Sequence, residues 1–346
     1  MKSDKLTEIL NAEPNYRREQ VWRAWFDPAI KNYADISTLP KNLRVALQDL
    51  PYLTVKEKKL QISKTDETKK VLLELSDGEV IESVLMGREN KKDTRTGNWR
   101  YTICISTQVG CPMGCVFCST AECGFTRNLT AEEIIDQYRF WQNRLGQTGL
   151  IDNVVLMGQG EPLLNYDNVK EALRILLKYA ELGPRKITLS TVGVPAAMDR
   201  LVEDKDFPQV RLALSLHSAI EATRKKIVPS HQPGFLEWLP DWAKRYHRAI
   251  PSRVHFLGLE YTLLAGINDD AKHLKALKNL ASKLGRVRLN LIPYNFNTRQ
   301  LRGSSETVIK QWHEELMAAG FVCTIRRSQG QDIAAACGQL KNITVL

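Results

Sequence analysis

Three cysteines stand close together in Cys111-Pro-Met-Gly-Cys115-Val-Phe-Cys118, separated by three residues and then by two. Three thiols so close together, with no histidine among them, can hold three irons of a [4Fe-4S] cluster and leave the fourth iron open to a small molecule. A zinc site normally takes four ligands. The alternative is therefore a zinc knuckle that borrows a distant thiol such as Cys104 or Cys123. The spacing favours the cluster with one open iron.

A glycine-rich turn with one acid follows the apolar run that ends at Met157. It reads Gly158-Gln-Gly160-Glu161. Glycine lets the backbone approach a ligand closely, and the carboxylate of Glu161 is suited to the ammonium group of a bound amino acid. A plain glycine-rich turn is the alternative interpretation of this motif.

Small polar residues end three further apolar runs. Ser190 ends one, Ser215 and His217 end the next, and Asn295 follows a third. Serine hydroxyls at such positions suit hydrogen bonds to a ribose or a carboxylate. A lone histidine is more often a packed side chain with satisfied hydrogen bonds, and this stays the alternative for His217.

Two more cysteines and one acid are candidates for chemistry. Cys104 precedes the cysteine loop by seven residues, and Cys337 lies in a glycine-flanked, small-residue segment that predicts a mobile loop. The alternative is two small buried residues, which is also the interpretation of Cys123 and Cys323. Glu82 is the one acid in an apolar run, where a solvent-facing strand residue is the simpler alternative.

Alternating strand and helix patterns over 99–346 must position these residues. The capping-box pattern Thr130-Ala-Glu-Glu133 predicts the start of one helix. Six strand–helix repeats imply a parallel sheet, and with the cysteine loop after the first strand they predict an α/β fold, a partial (β/α)6 barrel. Function in such barrels collects at the carboxyl ends of the strands. The predicted strands cover 100–106, 153–157, 186–190, 210–215, 254–264 and 287–292, with a last strand-like run at 321–327.

The first 98 residues predict a small N-terminal accessory domain. Residues 3–50 have helical patterns, with Tyr16, Val21 and Trp25 expected on one helical face. Two β-like runs at 68–75 and 80–86 flank Asp77-Gly78, a hairpin signal. The polar stretch 87–98 is expected to be an exposed loop and the seam between domains 1–98 and 99–346.

Composition limits the classes of function. The chain has 346 residues and a net charge of +10, an excess that favours a polyanion such as RNA over a small acid. No apolar run approaches the ~20 residues of a membrane span, and there is no secretory signal. An odd count of seven cysteines argues against a secreted disulfide framework, so we expect a cytoplasmic protein.

The motifs resemble, over essentially the full length, those of the RlmN/Cfr family of radical S-adenosylmethionine (SAM) adenine methyltransferases. The C-x3-C-x2-C spacing is typical of radical SAM enzymes. The matching stretches are Cys104-Ile-Ser-Thr-Gln-Val-Gly-Cys111, Gly124-Phe-Thr-Arg-Asn-Leu-Thr130, Gly160-Glu-Pro-Leu-Leu-Asn165, Ala213-Leu-Ser-Leu-His217 and Asp332-Ile-Ala-Ala-Ala-Cys-Gly-Gln-Leu340.

The resemblance implies cofactors and roles. It implies a [4Fe-4S] cluster on Cys111, Cys115 and Cys118, and SAM as the second cofactor. Cys337 matches the cysteine that is first methylated, Cys104 the cysteine that later forms a disulfide with it, and Glu82 a proton-handling acid. The positions that match SAM-binding residues are Gly160, Glu161, Ser190, Ser215, Leu216, His217 and Asn295.

The implied activity is methylation of carbon 2 of an adenine in 23S rRNA, with tRNA as a second substrate. A flavodoxin or ferredoxin would supply electrons, and we expect a monomer. One alternative is a Cfr-type enzyme that acts on carbon 8 and gives antibiotic resistance. Another, from a different class, is a non-catalytic iron–sulfur module that binds RNA.

Overall fold

The computed structural model describes residues 2–27, 29–89, 99–146, 149–250, 256–296 and 301–341. The chain opens with the predicted helices, α1 (Lys2–Asn11), α2 (Asn15–Trp25) and α3 (Lys41–Leu47). They enclose a small apolar core that is separate from the main core and contains Val21 and Trp25. The expectation that Tyr16 shares this face is wrong: it is 53% exposed, because at 3.6 residues per turn its position lies opposite Trp25.

An antiparallel meander follows, made of β1 (Lys56–Ile62), β2 (Thr68–Glu74) and β3 (Val80–Glu89). The predicted hairpin between β2 and β3 is confirmed, whereas β1 was not predicted. The first four residues of β1 are exposed, and its lysines discourage pairing with another chain at this edge of the sheet. From residue 90 onward, the loop predicted over 87–98 lies outside the described residues.

The rest of the chain alternates strands and helices, as predicted. The strands are β4 (Trp99–Cys104), β5 (Gln108–Gly110), β6 (Phe125–Asn128), β7 (Ile151–Leu156), β8 (Ile187–Thr191), β9 (Arg211–Ser215), β10 (Leu257–Leu263), β11 (Val287–Pro293) and β12 (Val322–Ile325). The helices are α4 (Ala131–Leu145), α5 (Tyr166–Tyr179), α6 (Pro195–Glu203), α7 (Glu221–Ile227), α8 (Phe235–Ala249), α9 (Ala271–Ala281) and α10 (Glu306–Ala318).

One continuous sheet organises the molecule. Its order within the described residues is β1-β2-β3-β4-β7-β8-β9-β10-β11-β12. All neighbours from β4 to β12 are parallel, while β3 joins β4 in antiparallel pairing. The partial barrel is therefore confirmed, and the N-terminal meander extends its sheet past the first barrel strand.

Local signals fix where the helices begin. Thr130 Oγ1 accepts a hydrogen bond from Glu133 N at 3.2 Å, and Glu133 Oε2 accepts one from Thr130 N at 2.9 Å, which confirms the predicted capping box at α4. Since β4 and the strands β7 to β12 run in one direction, their carboxyl ends lie at one edge of the sheet, while β5 and β6 pair antiparallel with each other. Within the described residues, no helix has the length and apolar character that crossing a membrane requires.

Candidate active site

The three-cysteine loop lies in the connection between β5 and β6, which pair in antiparallel fashion. Its path is held by backbone hydrogen bonds from Cys111 N to Gly124 O at 2.6 Å, from Cys118 N to Cys115 O at 3.2 Å and from Val116 N to Ile227 O at 3.0 Å. Cys111, Cys115 and Cys118 all line one cleft at the carboxyl ends of the barrel strands. The structure therefore brings the three predicted ligands to a common space.

The donor set fits an iron–sulfur cluster better than a single ion. Burial raises the pKa of Cys111 to about 12 and that of Cys115 well above its usual value, so both thiols need a bound metal to lose their protons. Among the described residues no three histidine, cysteine or acidic side chains converge on a single-ion site. A zinc ion needs its sulfurs at about 2.3 Å, whereas a cluster of four irons separates its thiolates more widely.

Most of the predicted SAM residues line the same cleft. The residues that do so are Gly160, Glu161, Ser190, Ser215, His217 and Asn295. Leu216 does not: its side chain is fully buried, and its backbone N donates to Glu260 O at 3.0 Å. Gly160 has φ +105°, and a Cβ there would lie 2.7 Å from the Gln108 side chain, so this turn requires glycine.

Glu161 is a buried carboxylate that forms no ion pair with any side chain of the described residues. Its Oε2 accepts a hydrogen bond from Val192 N at 2.8 Å, and its Oε1 accepts one from Leu163 N at 3.1 Å. Burial raises the pKa of Glu161 to about 7, although these two hydrogen bonds and one from the Thr191 side chain act to lower it. An ammonium group in the cleft would favour the charged carboxylate.

His217 is a neutral hydrogen-bond donor at the floor of the cleft. Burial lowers its pKa to about 3, with a further contribution from Arg224. Its Nδ1 accepts a hydrogen bond from Thr262 N at 3.1 Å, so the ring proton sits on Nε2. The Oγ atoms of Ser190 and Ser215 lie beside it on neighbouring strands, 3.3 Å apart. Together these groups offer polar partners to a ribose or a carboxylate.

The segment that carries Cys337 crosses the mouth of the cleft. Asn295 Nδ2 donates to Cys337 O at 3.0 Å, Ser119 N donates to Gly338 O at 2.7 Å, and Thr120 Oγ1 donates to Leu340 O at 2.8 Å. Cys337 itself is exposed. We refer to residues 330–341 as the carrier segment.

Cys104 and Cys337 line a second, smaller cavity next to the cleft, and both are free thiols. Burial raises the pKa of Cys104 to about 12, and the nearby Cys337 adds to this, whereas Arg326 opposes it. Cys123, by contrast, is exposed and not a small buried residue as the sequence suggested; Cys323 is buried as expected.

Arg326 and Glu260 form an ion pair that sequence reasoning missed. Arg326 Nη1 lies 3.2 Å from Glu260 Oε2 and 3.5 Å from Met157 Sδ, and both charged residues line the cleft. The negative potential of Cys337 is the largest cause that raises the pKa of Arg326. The sequence does contain one sign of this pair, because Glu260 is an acid in the middle of the otherwise apolar strand β10.

Glu82 lies outside the lining of the cleft. It is 4% exposed, so the solvent-facing alternative is wrong. Its Oε1 is 2.9 Å from Lys70 Nζ, and its Oε2 accepts a hydrogen bond from Lys341 N at 2.7 Å. Its own backbone N donates to Gln159 Oε1 at 3.1 Å. The carboxylate is thus held beneath the carrier segment.

Comparison with known proteins identifies the class to which this fold and site belong. The family model described as the Radical SAM superfamily matches residues 105–270. The crystal structure of a radical SAM methyltransferase from Sphaerobacter thermophilus is similar at a TM-score of 0.86 and 34% identity, covering 99% of this chain and 98% of that one. The protein is a radical SAM enzyme, and its cofactors are a [4Fe-4S] cluster and SAM.

Relatives of similar length show to which family of radical SAM enzymes the chain belongs. A Thermus thermophilus protein described as a probable dual-specificity RNA methyltransferase RlmN is 40% identical over 97% of this chain and 91% of its own length. A Nitrosopumilus maritimus protein described as ribosomal RNA large subunit methyltransferase N is 38% identical over 94% and 92%. The chain belongs to the RlmN family of radical SAM methyltransferases. The alternative of a non-catalytic module is therefore not supported.

Proposed function

We propose that this protein methylates carbon 2 of an adenine in 23S rRNA, and an adenine of tRNA as a second substrate. The observation that carries the proposal is the position of Cys337, which borders both the cleft lined by the three-cysteine loop and the cavity lined by Cys104. The names of the relatives support RNA as the substrate. They carry the RlmN name, so the carbon-8 alternative is not favoured.

Different residues of the chain would bind the two cofactors. Cys111, Cys115 and Cys118 would hold the cluster, and the strand-end residues of the cleft would hold SAM. The cluster and SAM together supply a carbon-centred radical that removes a hydrogen atom. Glu161 would receive the ammonium group of SAM, because a buried carboxylate is most stable when an opposite charge lies beside it.

Cys337 would carry the methyl group, because carbon 2 of adenine is electron-poor and does not attack a methyl cation. A thiolate is a good nucleophile, so Cys337 accepts the methyl group first. Once one hydrogen atom has been removed from this methyl group, its carbon bonds to the ring, which then gives up one electron to the redox partner and one proton. The Cys104 thiolate then forms a bond to the Cys337 sulfur, the sulfur–carbon bond breaks, and its electron pair leaves with the product, which takes up a proton to complete the methyl group. The resulting disulfide must be reduced before the next turnover.

Glu82 would accept the proton that leaves the ring. Lys70 Nζ lies 2.9 Å from Glu82 Oε1 and holds the carboxylate in place. The hydrogen bond from Lys341 N ties it to the carrier segment. Glu82 therefore reaches the ring only when the carrier segment, with Cys337, changes its position over the substrate.

The partners follow from charge and chemistry. The net charge of +10 suits RNA phosphates, and we assign residues 1–98 to an accessory domain that contacts RNA. A base buried in an RNA fold must leave its stack to enter the cleft. A flavodoxin or ferredoxin would deliver electrons to a monomeric enzyme in the cytoplasm.

Mass mapping of 23S rRNA tests the proposal. RNA from cells with the gene should carry a methyl group on carbon 2 of one adenine, and RNA from cells without it should not. Complementation with wild-type protein should restore the methyl group, while complementation with Cys337→Ala should leave the adenine unmodified at equal protein level. A methyl group on carbon 8, or unchanged rRNA, would reject the assignment.

A further inference from the structure

A fully buried arginine lies behind the cysteine loop. Arg224 of α7 is 1% exposed, and its guanidinium binds three neutral acceptors. Its Nε donates to Leu216 O at 3.2 Å, its Nη1 donates to His231 Nδ1 at 2.6 Å, and its Nη2 donates to Val192 O. The guanidinium also lies 4.5 Å from the centre of the Phe235 ring. Every contact fixes the group in place, and none of these partners carries a negative charge.

The charge of Arg224 has no direct counter-ion among the described residues. The carboxylate of Glu221 reaches Arg224 through the His231 ring, whose Nε2 lies 2.6 Å from Glu221 Oε1. The Glu221 side chain is 46% exposed. Burial lowers the pKa of Arg224 to about 10, so the group is still charged at neutral pH. A buried charge without a partner is strongly unfavourable. The fold must therefore place a further anion nearby.

Cys115 occupies the place where that anion is needed. Its side chain packs in one apolar cluster with Val192 and with Ile227 and Val228. Val192 supplies a carbonyl to Arg224, and the other two residues follow Arg224 at the end of α7. Val116 N also donates to Ile227 O at 3.0 Å. The ligand loop thus rests on the structure that holds the guanidinium, and a Cys115 sulfur that is charged by binding the cluster is the group that most favours the charged form of Arg224.

We propose that Arg224 is the counter-charge of the iron–sulfur cluster and raises its midpoint potential. Three thiolates give the cluster a net negative charge, which grows by one electron on reduction. A fixed cation therefore stabilises the reduced cluster more than the oxidised one. This inference rests on the cluster of the proposed function but not on the RNA substrate.

Redox titration of the reconstituted holoenzyme, followed by electron paramagnetic resonance, tests the role. Arg224→Gln should lower the ratio of reduced to oxidised cluster by at least roughly tenfold at the wild-type midpoint, the effect of one unit charge about 12 Å away at an effective dielectric constant of about 20; tenfold equals about 59 mV for one electron. Arg224→Lys, which keeps the charge but not the three hydrogen bonds, should stay within threefold of wild type. Lys225→Gln, an exposed neighbour on α7, is the matched control for net charge and should leave the ratio unchanged.

A second variant moves the potential in the opposite direction and does not disturb the core. Glu221→Gln removes the half-exposed carboxylate that partly offsets Arg224, so the ratio of reduced to oxidised cluster at the wild-type midpoint should rise about twofold. An unchanged or lower ratio would overturn the inference even if Arg224→Gln did not fold. Equal shifts in Arg224→Gln and Arg224→Lys would assign the residue a structural role only. A protein that forms no cluster would instead reject the proposed function.

Discussion

Glu161 offers a quantitative test of the idea that the cleft is built for a cation. The carboxylate is buried, and its pKa is raised from the ordinary 4.5 to about 7. The folded protein therefore holds a proton on Glu161 between pH 4.5 and pH 7, whereas the unfolded chain has lost it. In this window the contribution of Glu161 to the free energy of unfolding of the cofactor-free protein falls as the pH rises. Below pH 4.5 the penalty is absent, and above pH 7 it is complete.

The size of the effect follows from the shift. One pKa unit corresponds to about 1.36 kcal/mol, so a shift of about 2.5 units costs roughly 3 kcal/mol above pH 7. Glu161→Gln keeps a side-chain oxygen for one of the two backbone N–H groups and removes the titration. The free energy of unfolding of this variant, minus that of wild type, should therefore rise by roughly 3 kcal/mol between pH 4.5 and pH 7.5.

Urea denaturation under reducing, anaerobic conditions measures the difference. Comparing variant with wild type at each pH cancels the contributions of the histidines and of the other carboxylates. Glu237→Gln, an exposed carboxylate on α8, is the control and should give a difference that does not depend on pH. If the Glu161 difference were also flat, Glu161 would not be a carboxylate awaiting a cation, and its assignment to the SAM ammonium would be wrong.

Three further predictions concern the thiols and their supports. Cys104→Ala should trap a covalent complex of protein and RNA, visible as a shifted band on a denaturing gel, because nothing then attacks the Cys337 sulfur; free product would remove Cys104 from the mechanism. Arg326→Met should lower the free energy of unfolding by about 2 kcal/mol, since it leaves Glu260 buried without its cation, and adding Glu260→Gln should recover at least half of the loss in the same urea assay. Asp332→Ala removes the hydrogen bonds of the carrier segment to Ser63, Lys64 and Thr65, so amide hydrogen exchange at 330–341 should speed up severalfold while the barrel strands keep their protection; unchanged exchange would show that these bonds do not hold the segment.

Local patterns in the sequence were enough to predict the barrel. The helix predicted at 195–203 is observed as Pro195–Glu203, and the capping box at Thr130 is present as expected. Both predictions depend on residues within a single helix, whose periodicity and end signals can be read from the local sequence. The position of the cleft could be predicted from the same information, because parallel strands bring their carboxyl ends to one edge of the sheet.

Contacts between distant parts of the chain could not be predicted in this way. Lys70 and Glu82 each looked like an ordinary strand residue, and only the register of β2 against β3 brings them together in a buried pair. Arg326 looked like one surface cation among many until β12 took its place beside β11. Such pairs depend on tertiary packing, which hydrophobic periodicity does not encode.

The anchors of the carrier segment change how the N-terminal strands are understood. Asp332 accepts hydrogen bonds from Ser63 Oγ and Lys64 N, both at 2.8 Å, in the turn between β1 and β2. Lys70 Nζ donates to Ala334 O at 3.1 Å, and Glu82 accepts from Lys341 N. These contacts join residues more than 250 positions apart in the chain. The meander thus positions the segment that carries Cys337, so changes in β1–β3 should alter the position of this cysteine.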